Sequence, residues 1–265
     1  MWLNRQVGQN FRQEYIIEEK LLDVRSEHIL EIFKSQNFGQ IAMIDERHIL
    51  IEKFLYVESE LLAHIPSCCI KEDYGYKKAL LTGGFCLEIA YELLKHNIDV
   101  DFLQSDEKVL HSFISFFPHF TQTTQNPKFH PYAKTIELPL EKYDVIIHQG
   151  TPNAHEIDGL QRMLTPQGIF IHRLAHPYIQ EDKCIALLQN LDGFFEIVMP
   201  FFAPFSLFDD RVYVFASKQT HPLADMWLQK VDMLSDLRYY NADIHQAAFS
   251  MPTHIAKSLQ GIIKN

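Results

Sequence analysis

The chain is poor in cysteine, with four among its 265 residues. Cys68 and Cys69 are adjacent, whereas Cys86 and Cys184 lie far apart in the sequence. None of these spacings matches a zinc ligand set or a disulfide framework, and the 14 histidines are scattered without ligand spacing. We therefore expect no metal site, and thiols that stay reduced.

Basic residues are scarce relative to acidic ones: 24 Lys and Arg stand against 34 Asp and Glu, a formal net charge of -10. This balance argues against non-specific binding to nucleic acid and suits a cationic partner. No apolar run is long enough to cross a bilayer, and the polar, charged segment Trp2–Glu19 is unlike a signal peptide. We expect a cytoplasmic protein that binds neither nucleic acid nor a membrane.

Glycine is also scarce, with 10 residues, and two of them form the pair Gly83-Gly84. An apolar strand precedes the pair, and residues of helical periodicity follow it. A strand, a glycine turn and a helix form the nucleotide-binding turn of Rossmann-like folds. The third glycine of that motif is absent, and Cys86 lies where many such loops carry a carboxylate. The pair predicts a nucleoside site or, alternatively, a plain strand-to-helix turn.

Two regions of the chain differ in periodicity. Roughly the first sixty residues alternate between apolar and polar with short turns, which predicts an antiparallel β meander. Helical spacing from Phe54 stops at Pro66, and the charged stretch from there to Lys78 resembles a linker. From Ala79 onward, strands alternate with helices, as in βαβ units around a mostly parallel sheet. The sequence predicts an α/β protein with a small β domain over residues 1–64 and a larger domain over residues 65–265.

The larger domain is predicted to contain four parallel strands: Ala79–Thr82, Val100–Leu103, Tyr143–His148 and Gly168–His172. Helices are predicted to begin near Phe85, Asp106 and Ala154. Two further strands within 194–218 would form an antiparallel hairpin at the edge of the sheet. We expect Gly83-Gly84 at the carboxyl end of a central strand, beside Gln104, because ligands of open α/β sheets bind there.

The end of the chain carries a long motif, RYYNADIHQAAFSMP, from Arg238 to Pro252. In this motif the chain resembles the spermidine synthases, the polyamine aminopropyltransferases. Three shorter stretches carry the same resemblance: FLYVESELLAHIP, YDVII and VYVFASK. The resemblance implies a small N-terminal β domain joined to a Rossmann-like, methyltransferase-type domain, assembled as a homodimer or homotetramer.

The resemblance also implies a reaction. An amine, usually that of the diamine putrescine, attacks the aminopropyl carbon of decarboxylated S-adenosylmethionine, which is a co-substrate; no cofactor or metal takes part. The products are spermidine and methylthioadenosine. Both substrates are cationic, so negative charge would offset their repulsion, and one amine must lose a proton before it attacks. The alternatives are a non-catalytic or weakly catalytic nucleoside-binding homologue and a transferase with another acceptor.

The family pattern, transferred position by position, implies which residues bind the nucleoside. The positions are Gly83, Gly84 and Cys86 in the glycine loop, Gln104 and Asp106 near the ribose, and Tyr132 and Ala133 near the adenine. Cys86 and Gln104 stand where the family has carboxylates. Glu58 stands where the family has a substrate-binding tyrosine, so it would return negative charge to the diamine pocket.

The family's catalytic loop would lie directly after Ile147, where this chain reads His148-Gln149-Gly150-Thr151-Pro152-Asn153. Gln149 falls on the position of the base, and Thr151, Pro152 or Asn153 on that of the second acid, depending on the alignment. None of these side chains is a carboxylate. The catalytic candidates Gln149, Thr151 and Asn153 can orient an amine but are poor proton acceptors.

Each candidate also has a structural alternative. Gln104 and Asp106 could cap the helix that follows them, since Asp caps helices well. Glu58 could be a solvated helix residue, and Cys86 a small packed one rather than a nucleophile. Core or surface roles are the simpler explanation for four scattered histidines: His148, His155, His172 and His176.

Overall fold

The computed structural model of the chain describes residues 1–70, 77–138, 142–207 and 211–265. Residues 71–76 of the predicted linker lie outside the described residues. Six strands form the N-terminal region: β1 (Trp2–Gly8), β2 (Phe11–Ile16), β3 (Glu19–Arg25), β4 (Ile29–Ser35), β5 (Gly39–Ile44) and β6 (His48–Ile51). β1 and β2 form a hairpin, and β3 to β6 form an antiparallel meander. The predicted N-terminal β structure is confirmed.

Helix α1 (Leu55–Ser67) connects the two parts of the molecule. The prediction that this helix stops at Pro66 is wrong, because Pro66 lies inside its last turn. Proline removes one backbone donor, yet the Cys68 N–H still donates to the His64 carbonyl at 2.9 Å and closes the turn. Most of α1 is buried in one apolar core that includes β4, β5 and the larger sheet.

A seven-stranded sheet forms the larger domain. Its strands are β7 (Lys78–Thr82), β8 (Asp99–Leu103), β9 (Phe129–Tyr132), β10 (Tyr143–His148), β11 (Leu164–Leu174), β12 (Ile197–Phe202) and β13 (Val212–Ser217). The order is β12-β13-β11-β10-β7-β8-β9, parallel from β11 to β9. The predicted hairpin at the sheet edge is confirmed as β12 and β13. The prediction missed β9, whose sequence FHPY contains a proline that disfavours strand assignment.

Helices follow the strands, as the pattern predicts. They are α2 (Leu87–Leu94), α3 (Glu107–Ile114), α4 (Phe120–Thr124), α5 (Ala154–Arg162), α6 (Glu181–Gln189), α7 (Leu228–Met233), α8 (Ala242–Ala248) and α9 (Thr253–Ser258). The three predicted helix starts lie within two residues of the observed ones. The α/β class with an N-terminal antiparallel β domain is confirmed. The boundary at residue 64 stays a prediction, because α1 packs with both parts of the core.

Glu60 of α1 anchors the C-terminal motif. Its buried carboxylate accepts hydrogen bonds from the backbone N–H groups of Arg238, Tyr239 and Tyr240 at 2.8–2.9 Å. Within the motif, the Tyr240 hydroxyl lies 2.6 Å from Nδ1 of His245, whose Nε2 is 2.9 Å from the Pro222 carbonyl. The motif therefore packs the end of the chain onto α1.

The turn after β7 generates a first prediction. Gly83 has φ +71°, and a Cβ there would lie 2.5 Å from the imidazole ring of His148. Gly193 has φ +80° but nothing within 4 Å, so it is a matched control for backbone strain alone. We expect Gly193→Ala to lower the free energy of unfolding by roughly 1–2 kcal/mol, the cost of a left-handed residue. Gly83→Ala should cost measurably more in denaturant titrations. Equal losses would contradict the close packing against His148.

Candidate active site

A cavity of about 650 Å³ lies at the carboxyl ends of β7, β8 and β10. Its volume is in the range of small-molecule sites. Seven of the predicted site residues line it: Glu58, Gly83, Gly84, Cys86, Gln104, Ala133 and Gln149. The N-terminal domain contributes its other wall, including His28, Asp45 and His48. The cavity therefore lies between the two domains.

The glycine pair lets two loops approach each other closely. A Cβ on Gly84 would lie 2.5 Å from the side-chain oxygen of Gln149. The Gln149 backbone N–H also donates to the Thr82 carbonyl at 2.8 Å. The position of Gly83-Gly84 at the end of a central strand, beside Gln104, is confirmed, since Gln104 Nε2 donates to the Gly84 carbonyl at 3.1 Å.

Gln149 uses its only side-chain acceptor within the protein. Its Oε1 accepts the backbone N–H of Cys86 at 2.9 Å, at the N-terminus of α2. Its Nε2 is buried and has no hydrogen-bond partner among the described residues. Because the oxygen is occupied and the nitrogen only donates, Gln149 is unsuited to accept a proton from an amine.

Cys86 is a buried, neutral thiol. Burial raises its pKa far above the ordinary value, and the nearby carboxylates of Glu58 and Glu88 raise it further. A thiol in this state is a poor nucleophile, because the thiolate is the reactive form. Cys86 therefore supplies shape to the glycine loop but no charge.

The ribose candidates have different partners. Gln104 Oε1 accepts the Asp106 N–H at 3.1 Å, and one N–H of its amide remains beyond the bond to Gly84. Asp106 caps α3 through the Val109 N–H and accepts the His28 N–H at 2.9 Å. Burial opposes ionisation of Asp106, but these two bonds keep its pKa below the ordinary value. Capping thus accounts for Asp106, and a ribose role for Gln104 stays a prediction.

Four predicted residues lie outside the cavity lining: Asp106, Tyr132, Thr151 and Asn153. Tyr132 ends β9, and its carbonyl accepts the Gln104 N–H at 2.9 Å. Thr151 is exposed. Asn153 caps α5, because its Oδ1 accepts the N–H groups of His155 and Glu156 at 3.0 Å. Their roles in binding or catalysis stay predictions.

Glu58 is not a solvated helix residue. Its carboxylate pairs with the buried guanidinium of Arg211 and accepts the hydroxyl of Tyr213. Arg211 in turn donates to the Ile49 carbonyl of β6 at 3.1 Å. The pair thus links α1, β13 and the N-terminal domain. The negative charge that Glu58 brings to the cavity is balanced by an adjacent positive one.

Two histidines that line this cavity, His48 and His148, were not predicted to belong to it. Burial, reinforced by Arg173, lowers the pKa of His48 to about 4. Burial also lowers the pKa of His148, whose Nδ1 accepts the Gly150 N–H at 3.2 Å, so the neutral ring carries its proton on Nε2. His148 is the last residue of a predicted parallel strand, and this position alone could have placed it in the site. Nothing in the sequence connects His48 to this cavity, because it comes from the other domain.

The three carboxylates that line the cavity are all hydrogen-bonded. The first is Glu58, described above. The second, Asp45, lies 2.7 Å from His28 Nδ1 and accepts the Ile29 N–H at 2.8 Å. Glu156 accepts the Asn153 N–H at 2.7 Å. Lys134 and Arg173 also line the cavity. The described lining is therefore close to electrically neutral.

Comparison with known proteins gives two family models that together span most of the chain. "Spermidine synthase tetramerisation domain" matches residues 1–58, and "Spermine/spermidine synthase domain" matches residues 55–227. The chain belongs to the spermidine synthase family. The predicted family is thereby confirmed. The matched ranges meet at the start of α1, and the first supports an oligomeric assembly of this family member.

Relatives of this spermidine synthase family member are similar over their full length. Proteins named "Polyamine aminopropyltransferase" from Helicobacter pylori strain G27 and Helicobacter acinonychis strain Sheeba are each 46% identical to it. The alignments cover 100% of this chain and 98% and 100% of those proteins. These names favour the predicted transferase over the binding-only alternative.

Solved structures share the fold of this family member. The spermidine synthase from Thermotoga maritima matches with a TM-score of 0.86 at 21% identity. A spermidine synthase in complex with the transition state analogue AdoDATO matches with a TM-score of 0.87 at 20% identity. Both matches cover 98% of this chain and 94% of the other. The predicted Rossmann-like, methyltransferase-type fold is confirmed. Within the described residues, none of the helices has the length and apolar character needed to span a membrane.

The Glu58 pair generates a second prediction. Glu58→Gln leaves the Arg211 guanidinium unbalanced beside the cavity, so a cationic diamine should bind more weakly. We expect the Kd for putrescine, measured by calorimetry, to rise about tenfold or more, in line with one charge-assisted contact. Glu107→Gln, on an exposed residue of α3, is the matched control. Equal affinities for Glu58→Gln and the parent would show that Glu58 has only a structural role.

Proposed function

We propose that this protein is a polyamine aminopropyltransferase that makes spermidine from putrescine and decarboxylated S-adenosylmethionine. The observation that carries the proposal is full-length similarity, at 46% identity, to proteins of that name. The cavity at the carboxyl ends of β7, β8 and β10 supports it, because this is where open α/β sheets bind their ligands. The reaction needs no cofactor besides the co-substrate.

The donor nucleoside is proposed to lie against the Gly83-Gly84 turn, between Gln104 and Ala133. One amide N–H of Gln104 remains to bind a ribose oxygen, without the charge of a carboxylate. The aminopropyl chain then extends toward Cys86 and Gln149. In this pose Gln149 holds the start of α2 against the loop after β10.

The acceptor diamine is proposed to lie between the donor site and Glu58. The amine that attacks must be neutral, and the carboxylates in the described lining are occupied by other bonds. We therefore assign deprotonation to solvent, helped by an apolar environment that lowers the amine pKa. Positioning of the two substrates supplies the main acceleration. Slow aminopropyl transfer follows from the lack of a strong base, whose loss costs roughly 10²–10⁴ in rate.

One observation favours the binding-only alternative. Cys86, Gln104 and Gln149 replace three carboxylates of the family pattern, and both glutamines have fixed partners in the protein. If nothing compensates, the site would bind the nucleoside without turnover. A product assay separates the two functions directly.

The assembly is proposed to be a homodimer or homotetramer formed through the N-terminal domain. Exposed apolar side chains on the β1–β2 hairpin, Trp2, Phe11 and Ile16, fit such an interface. A cytoplasmic location, like the oligomer size, stays a prediction. Size-exclusion chromatography with light scattering would give the oligomer.

The product assay generates a third prediction. Purified protein with decarboxylated S-adenosylmethionine and putrescine should form spermidine and methylthioadenosine, while other diamines test the choice of acceptor. Cys86→Asp restores a negative charge at the N-terminus of α2, so kcat/KM should rise at most about 10- to 150-fold, equivalent to one charge-assisted hydrogen bond of about 1.5–3 kcal/mol.

Cys86→Asn is the matched control, because Asn caps a helix as well as Asp does but carries no charge. It should leave kcat/KM near the parent value. Absence of product with every diamine, including in Cys86→Asp, would overturn the transferase and leave the nucleoside-binding function.

A further inference from the structure

Two donors of different kinds hold the carboxylate of Glu58. Arg211 Nη1 donates to its Oε2, and Arg211 Nη2 donates to the Ile49 carbonyl at 3.1 Å. The Tyr213 hydroxyl donates to Oε1. The two oxygens of the carboxylate therefore have different partners, one of them charged and the other neutral.

Glu58 is the member of this group that reaches the cavity. Its side chain is 16% exposed and belongs to the cavity lining, whereas Tyr213 is 1% exposed. Neither Tyr213 nor Arg211 is among the described residues that line the cavity. A cation in the cavity can thus contact Glu58, while Tyr213 can influence that cation only through the carboxylate.

The Tyr213 bond opposes a competing arrangement of the ion pair. A guanidinium is a planar fork that can take both oxygens of a carboxylate in two parallel hydrogen bonds. The last torsion of a glutamate side chain is broad, so the carboxylate turns easily about it. If Oε1 lost the Tyr213 hydroxyl, the Glu58 carboxylate would turn toward Arg211. Its charge would then face that partner rather than the cavity.

The two amines of a diamine need opposite charge states in the reaction. The amine that attacks must be neutral, whereas the remote amine remains an ammonium. A carboxylate within about 4–6 Å favours the charged form of an amine. An amine beside Glu58 therefore keeps its proton, so in the productive complex Glu58 contacts the remote ammonium.

We propose that Tyr213 is a positioning residue for the acceptor: it holds the Glu58 carboxylate toward the cavity, where Glu58 binds the remote ammonium of the diamine. The inference rests on the proposed function, because it takes the acceptor to be a diamine. The interaction that carries it is the bond from the buried Tyr213 hydroxyl to the one carboxylate of this group that the cavity exposes.

Steady-state kinetics of Tyr213→Phe, which removes only the hydroxyl, test this proposal. We expect KM for putrescine to rise about 3- to 10-fold, as for the loss of one hydrogen bond, while KM for decarboxylated S-adenosylmethionine stays near the parent value. In a Glu58→Gln background the same change should add no further rise, because Tyr213 acts through that carboxylate. The pH profile of kcat should keep its midpoint, because the attacking amine does not contact Glu58.

Tyr143→Phe is the matched control. The Tyr143 hydroxyl donates to Asp101 Oδ2 at 2.7 Å, and both residues are buried in the same sheet and do not line the cavity. This variant also loses a bond from a buried hydroxyl to a carboxylate, so a purely structural effect would appear in both. It should keep both KM values of the parent.

The outcomes separate this proposal from the proposed function. If the parent forms spermidine and Tyr213→Phe leaves KM for putrescine unchanged, the inference is overturned and the proposed function stands. An equal rise of KM for the donor, or in Tyr143→Phe, also overturns it. A kcat profile that moves to lower pH in Tyr213→Phe would place Glu58 beside the attacking amine instead of the remote one. If the parent forms no product with any diamine, the proposed function itself fails.

Discussion

The hydrogen bond from the Cys86 N–H to Gln149 Oε1 determines the character of the cavity. It joins the loop after β7 to the loop after β10, and it requires the close approach that Gly83-Gly84 permits. This bond also occupies Gln149 Oε1, the only side-chain acceptor at the position predicted for the catalytic base. The remaining Gln149 nitrogen can only donate, and the Cys86 thiol stays protonated. The turn after β7 thus keeps the close-packed form of a nucleotide-binding loop. Its residue Cys86 and the neighbouring Gln149, however, carry no negative charge.

The N-terminal domain completes the site through polar contacts that cross between the domains. Asp106 accepts the His28 N–H while it caps α3, and Arg211 connects Glu58 to the Ile49 carbonyl. Of these two carboxylates only Glu58 lines the cavity, and its charge is balanced by Arg211. Removing one partner of such a buried pair is strongly destabilising, because the other charge is left uncompensated. Closure of the cavity and its near-neutral lining therefore have a common physical origin.

The sequence predicted the fold well because the fold depends on local patterns. Alternation, helical spacing and the turn at Gly83-Gly84 are visible in any short window, and the motif from Arg238 to Pro252 identified the family. The wrong predictions were local and involved prolines. Pro66 lies inside α1 instead of ending it, and β9 was not predicted because it contains Pro131.

The site was predicted less completely. The family pattern shows where this chain has replaced a carboxylate, as at Cys86 and Gln149. The sequence does not show which groups the site residues bind, because their partners are distant in the chain. The partner of Gln149 lies 63 positions away, and that of Glu58 lies 153 positions away. The balance of charge in the cavity depends on these distant pairs.

In the proposed reaction the attacking amine loses its proton to solvent rather than to a protein carboxylate. The pH dependence of kcat/KM for putrescine tests this most directly. We predict a rise of about tenfold per pH unit from pH 7 to 9, continuing toward the amine pKa of about 10. A plateau that begins near neutral pH would show that a base within the protein, and not solvent, takes the proton.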